Sequence, residues 1–200
     1  FREEATSNAL NRLSETSIEF IKKLLILLQL IGDADVIPYV RTFADHPDIT
    51  IRLEAIRTLL RFEDHDANAL LQKAVFSEDH SESTQAVVLA CEFRITDICV
   101  KLILLIRTNI ILKKDLTFNE FIVTEVVKTR DQQIIQHLEK LAGKRWSLFP
   151  RRLSLTKMAL LNAIELYAPP NAVKLIKLCL HSKDEQIKTS CMKLMKRESE

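Results

Sequence analysis

Five histidines and four cysteines are the side chains of this 200-residue sequence best suited to hold a metal or attack an electrophile. His46 and His80 lie in successive polar turns, each beside acids: Asp45 and Asp48 around the first, Asp79 before the second. A metal centre needs three or four ligands converging at fixed distances, and these form only a loose set. Acids at helix starts already serve as caps and as partners of the helix dipole, so no metal is expected. His65, His137 and His181 are scattered along the chain without an evident partner. Cys91, Cys99, Cys179 and Cys191 contain no C-x-x-C pair and sit in apolar runs, the pattern of reduced core thiols. There is no G-x-S-x-G nucleophile turn. With Gly32 and Gly143 as the two glycines, no Gly-rich loop can cradle a nucleotide. Neither catalysis nor a cofactor is expected.

The sharpest local feature is Gly143-Lys144-Arg145-Trp146-Ser147-Leu148-Phe149-Pro150-Arg151-Arg152, basic at both ends and holding the sole tryptophan. Arginine and tryptophan are favoured where proteins touch partners, and arginine forks grip carboxylates and phosphates. Lys144, Arg145, Trp146, Phe149, Arg151 and Arg152 are therefore the candidate contact residues. The competing reading has Trp146, Leu148 and Phe149 folding back as a local plug while the charges are solvated. As a basic stripe the segment is too short, by itself, to argue for nucleic acid. Charge is also unevenly spread: residues 1–100 hold 10 basic and 17 acidic side chains, residues 101–200 hold 19 and 10. Two different partner surfaces, or head-to-tail self-association of an acidic front and a basic back, would follow from that split. Simple solvation of charge explains it equally well.

Helices must position these residues. The chain is 47% apolar and 28% charged, a folded composition, and its scarcity of glycine argues against sheets. Ile51, Ala55, Thr58, Leu59 and Phe62 form one helical stripe. Polar turns punctuate such stripes at Gly32-Asp33, Asp45 to Asp48, Glu63 to Asp66, Glu78 to His80 and Ala168 to Pro170. Thr16 to Glu19 and Thr117 to Glu120 read as capping boxes ahead of apolar runs. No run reaches the ~20 apolar residues of a membrane span, so membrane insertion is not expected. A start at Phe1, without methionine, suggests a piece of a longer protein.

The turns recur regularly. Units 32–62, 63–93, 94–129, 130–167 and 168–198 each hold one helix pair of roughly 31 to 38 residues, and residues 1–31 supply an N-terminal cap. The first unit overlays the last: Asp48, Ile51, Arg52 and Ala55 fall on Asp184, Ile187, Lys188 and Cys191. Their first helices match as well, with Val36, Ile37, Val40 and Ala44 over Ala172, Val173, Ile176 and Leu180. The second unit keeps the small residue, Ala86, but has Ser83 at the basic place.

The motif Asp-x-x-aliphatic-Arg-x-x-Ala, after a first helix with Pro38 near its start, resembles the HEAT repeat. That resemblance runs from about Gly32 onward and implies an all-α, right-handed α-α superhelix of about five helix pairs. It implies an acid–base ladder between neighbouring units and a small residue that lets second helices pack closely. Asp48, Arg52 and Ala55, with Asp184, Lys188 and Cys191, hold the matching places. The fourth unit departs, with Thr156 or Lys157 at the basic place and a long connection from Lys144 to Arg152. Iron-dependent hydroxylases with HEAT-like repeats use His-Glu dipeptides, and this chain has none. One helix pair cannot bury its apolar stripe alone, so neighbours must stack. The expectation is a cytoplasmic, non-catalytic scaffold that binds another protein or peptide. A nucleic-acid-binding accessory module, using the basic back half, is the alternative.

Overall fold

The computed structural model describes residues 17–108 and 116–197. Residues 1–16 of the expected cap, with Thr16 of the first capping box, lie outside the described residues, as do 109–115 of the third unit and 198 of the fifth. The described residues form eleven α-helices and one 3-10 turn, with no strand among them. The chain divides into two compact units, Phe1–Leu89 and Ala90–Glu200.

The first unit holds α1 (Ile18–Ile31), α2 (Ile37–Thr42), α3 (Ile49–Arg61), α4 (Ala67–Val75) and most of α5 (His80–Glu92). Helix α3 is its centre, packed against α1, α2 and α4. Its stripe of Ile51, Ala55, Thr58 and Leu59 is fully buried, as the spacing predicts. Each helix has a local reason to stop or start. Gly32 adopts the left-handed conformation (φ 65°) and returns its N–H to the Leu28 carbonyl, closing α1. The Asp48 carboxylate accepts the Thr50 and Ile51 N–H groups and opens α3. A 3-10 turn over Ala34–Val36 leads into α2, whose first turn carries Pro38.

The second unit holds α6 (Thr96–Arg107), α7 (Leu116–Lys128), α8 (Gln132–Ala142), α9 (Pro150–Tyr167), α10 (Ala172–Cys179) and α11 (Glu185–Arg197). Two rows emerge from their contacts: α6 packs on α8 and α8 on α10, while α7 packs on α9 and α9 on α11. Partners α6/α7, α8/α9 and α10/α11 join the rows, the stacking of helix pairs that a repeat solenoid requires. Leu102, Ile103, Ile122, Ile135, Leu138, Leu160 and Ile176 are buried between the rows, each such side chain contributing about 1.5–3 kcal/mol. Polar ties reinforce the stacking. Lys174 and Asn171 at the start of α10 both reach Glu139 on α8, and the Arg130 guanidinium donates to the Tyr167 carbonyl at the end of α9.

One feature of this core breaks the usual pattern. Lys157, on α9, is 1% exposed and stands against the buried thiols of Cys179 and Cys191. Burial holds its ammonium below the ordinary lysine range, and the two thiols only partly oppose that. Among the described residues, no helix is long and apolar enough to cross a membrane.

Candidate functional site

The basic-aromatic segment lies between α8 and α9. Gly143 follows α8 with right-handed backbone (φ −74°), and its N–H continues the helix to the Glu139 carbonyl. Its small size matters more than its freedom: a Cβ there would lie 3.3 Å from that carbonyl and 3.6 Å from Leu178 of α10. Residues 144–149 are irregular, and α9 then begins at Pro150. The connection is thus shorter than the expected stretch to Arg152, because proline's fixed φ and missing N–H suit the first helical turn. Arg151 and Arg152 stand on that first turn.

The candidate residues divide into two groups. Lys144 and Arg152 are engaged with the protein itself. The Lys144 ammonium donates to the Arg107 carbonyl at the end of α6, and burial, aided by the Arg107 charge, lowers its pKa. Arg152 stacks its guanidinium 5.0 Å from the Phe149 ring, and its Nη1 is buried without a hydrogen-bond partner. Arg145, Trp146, Phe149 and Arg151 face solvent. Trp146 is 70% exposed, Leu148 70% and Phe149 45%, so the apolar residues do not fold back as a plug. What holds the segment in shape is Ser147, almost fully buried, whose hydroxyl accepts the Phe149 N–H.

Beside this segment opens a cleft of about 360 Å³. Arg145, Trp146, Pro150, Leu153 and Ser154 form one wall, and the α10–α11 turn, Ser182-Lys183-Asp184, forms the other. Asp184 is already committed. It accepts the Gln186 N–H at the start of α11, and a hydrogen bond from the Ser154 hydroxyl is the main cause that holds its carboxyl below the usual range. Sequence reasoning did not find Lys183, Ser182 or Ser154. Stacking equivalent turns of the fourth and fifth units side by side would have pointed to them.

The ladder residues are equally informative. Asp48 caps α3, and the Thr50 hydroxyl is the main cause of its lowered pKa. Arg52 reaches from α3 to Glu82 on α5, with Nε 2.8 Å from Oε1. Its Nη1 also donates to the His46 and Pro47 carbonyls at 2.6 and 2.8 Å, just beyond the end of α2. One arginine therefore ties two helix pairs of the first unit together and satisfies two carbonyls of the turn between α2 and α3. Ser83, at the equivalent place, donates at 2.6 Å to the Val75 carbonyl that ends α4. Ala55 and Cys191 are fully buried. Lys188 instead pairs within α11, 2.6 Å from Glu185. The acid on the Arg52 rung is Glu82, three residues past Asp79, whose carboxylate takes the Glu82 N–H.

Residues 6–92 match a family model described as HEAT repeats. Across that segment the chain is similar to HEAT repeats. No curated protein matches it. The Arg52–Glu82 rung lies inside the matched segment, and the second unit is likewise built of stacked helix pairs.

Elsewhere, Asp64, His65 and Asp66 bring their ligand atoms within 4.8 Å of one another. A cation is already there, since Arg41 lies 2.5 Å from Asp64 and 3.4 Å from Asp66, with His65 Nδ1 3.1 Å away. His46 is used locally, its Nδ1 accepting the Asp48 N–H. All four cysteines are free and buried. Cys91 and Cys99 bring their sulfurs to 3.9 Å, and that hydrogen bond, together with burial, pushes the Cys91 thiol up.

Proposed function

We propose that this chain is a non-catalytic, cytoplasmic protein-binding scaffold that engages its partner through the segment between α8 and α9. HEAT repeats generally serve as protein-interaction scaffolds, and stacked helix pairs offer large surfaces without a deep pocket. The observation that carries the reading is the exposure of Trp146 and Leu148 beside Arg145 and Arg151. Neither arginine makes an ion pair among the described residues. A large apolar indole held in solvent next to unopposed guanidinium groups is the composition of an interface centre. Lys144 and Arg152 contribute indirectly: the first anchors the segment to α6, and the second braces Phe149.

Affinity capture from lysate tests this reading. The comparison is wild type against Arg145→Glu/Trp146→Ala/Arg151→Glu, with and without nuclease. Lys144 is left intact so that the segment keeps its anchor. A nuclease-resistant protein recovered by wild type and lost by the variant is the expected result. Recovery of nuclease-sensitive material alone would replace the scaffold with a nucleic-acid-binding module acting through the basic second half.

A further inference from the structure

The cleft beside Trp146 carries the scaffold reading one step further, to the chemistry of the partner. We infer that it receives an extended acidic segment of a partner protein. An apolar side chain of that segment lies on Trp146 and Leu153, and its carboxylates meet Arg145 and Lys183. The inference rests on the scaffold reading and specifies what such a scaffold binds.

Three observations support it. The walls are two-sided in character, with the Trp146 indole, Pro150 and Leu153 apolar and Arg145 and Lys183 cationic. At about 360 Å³ the cleft has room for a side chain or two of a peptide, near the small end of ligand sites. Charge then decides which peptide. Asp184 is the one carboxylate in the lining, and it is taken up by the α11 cap and the Ser154 hydroxyl. Arg145 and Lys183 have no ion-pair partner among the described residues. An incoming carboxylate therefore meets two unopposed cations, whereas an incoming lysine meets like charge and finds no free acid.

Single-stranded nucleic acid is a poorer fit. It binds along basic grooves where successive bases stack on several aromatic rings. This lining has one aromatic ring, with proline and leucine beside it. Those groups pack an aliphatic or benzyl side chain better than a run of bases.

Trp146 is the sole tryptophan, so its fluorescence reports on the cleft directly. The probe is a short synthetic peptide in which Glu alternates with Leu and Phe. Comparators are the same peptide with Lys for Glu, and oligothymidylate of similar length. The acidic peptide should give a saturable blue shift of Trp146 emission that weakens with added salt. The Lys peptide should give none. Arg145→Glu/Lys183→Glu should weaken the acidic peptide about tenfold or more while circular dichroism remains that of wild type. Lys183→Gln alone should fall between.

No shift at millimolar acidic peptide, or equal affinity in the double variant, would overturn the inference. A stronger response to oligothymidylate would overturn it as well. The scaffold reading fails separately, when affinity capture returns nuclease-sensitive material alone. A nuclease-resistant partner retained by Arg145→Glu/Lys183→Glu would sink the cleft and leave the scaffold standing.

Discussion

Replacing Arg52 with alanine removes the side chain that joins α3 to α5 and braces the turn between α2 and α3. Three charge-assisted hydrogen bonds disappear, one to Glu82 and two to the His46 and Pro47 carbonyls. The arginine side chain is 20% exposed and that of Glu82 11%, so solvent screens the pair only in part. Glu82 keeps the Ser77 hydroxyl at 2.5 Å but loses its counter-charge. Charge-assisted bonds contribute about 1.5–3 kcal/mol, and breaking a buried pair costs about 3–5 kcal/mol. Partial exposure and the remaining serine bond lower that figure to about 2–4 kcal/mol. Urea denaturation followed by circular dichroism measures it, with Arg52→Ala, Glu82→Gln and the double variant completing a cycle. Acid provides a second handle. Burial works to raise the Glu82 carboxyl, but the hydrogen bonds from Arg52 and Ser77 prevail and hold it below the ordinary range. The stability it contributes is complete above the usual carboxylate pKa and is lost as pH falls through the depressed folded value. The deficit of Arg52→Ala should therefore shrink on acidification. A deficit under about 0.5 kcal/mol at neutral pH, or one indifferent to acid, would refute the rung's energetic role.

Further substitutions probe other parts of the fold. Lys157→Met should stabilise the protein by about 1–3 kcal/mol at neutral pH, because it removes an amine buried at 1% exposure. Burial depresses that amine's pKa, so the unfolded chain binds the extra proton and wild-type stability rises with pH toward the ordinary lysine value. Urea midpoints across the alkaline range should show the rise in wild type and lose it in the variant. Ala55→Leu should cost about 1–3 kcal/mol through overpacking at a fully buried site, read as a lower urea midpoint. Lys144→Ala frees the Arg107 carbonyl, and should lower the thermal midpoint and raise proteolysis between α8 and α9.

Much of this was legible because stacked helices repeat themselves. Periodicity placed Ile51, Ala55 and Leu59 on one buried face, and turn chemistry placed the acids Asp48 and Asp184 at helix starts. What escaped was geometry between neighbouring helix pairs. The motif pairs an acid and a base by their offsets from the helix start, yet Arg52 selects Glu82, one helical turn beyond the capping Asp79. Nothing in a linear offset says which of two acids on adjacent turns an arginine fork will reach. Lys157 escaped for another reason: a charged residue in an apolar stripe is normally assigned to a flank, and only packing shows that α9 turns it inward. Pro150 could have been read as the first turn of α9, which places Arg151 and Arg152 on a helix rather than in the loop. The division of the basic segment into anchors and free cations came from tertiary contacts alone, since Lys144 and Arg145 are chemically alike and neighbours in sequence.

Site-specific photo-crosslinking in the source cells tests the docking segment most directly. A benzophenone amino acid replaces Trp146 in one variant and Leu166, 72% exposed near the end of α9, in the other. Irradiation should give a discrete, nuclease-resistant protein adduct from position 146 and none from position 166. Equal adducts at both positions, no adduct at 146, or one that nuclease removes would contradict a protein-binding role for this segment.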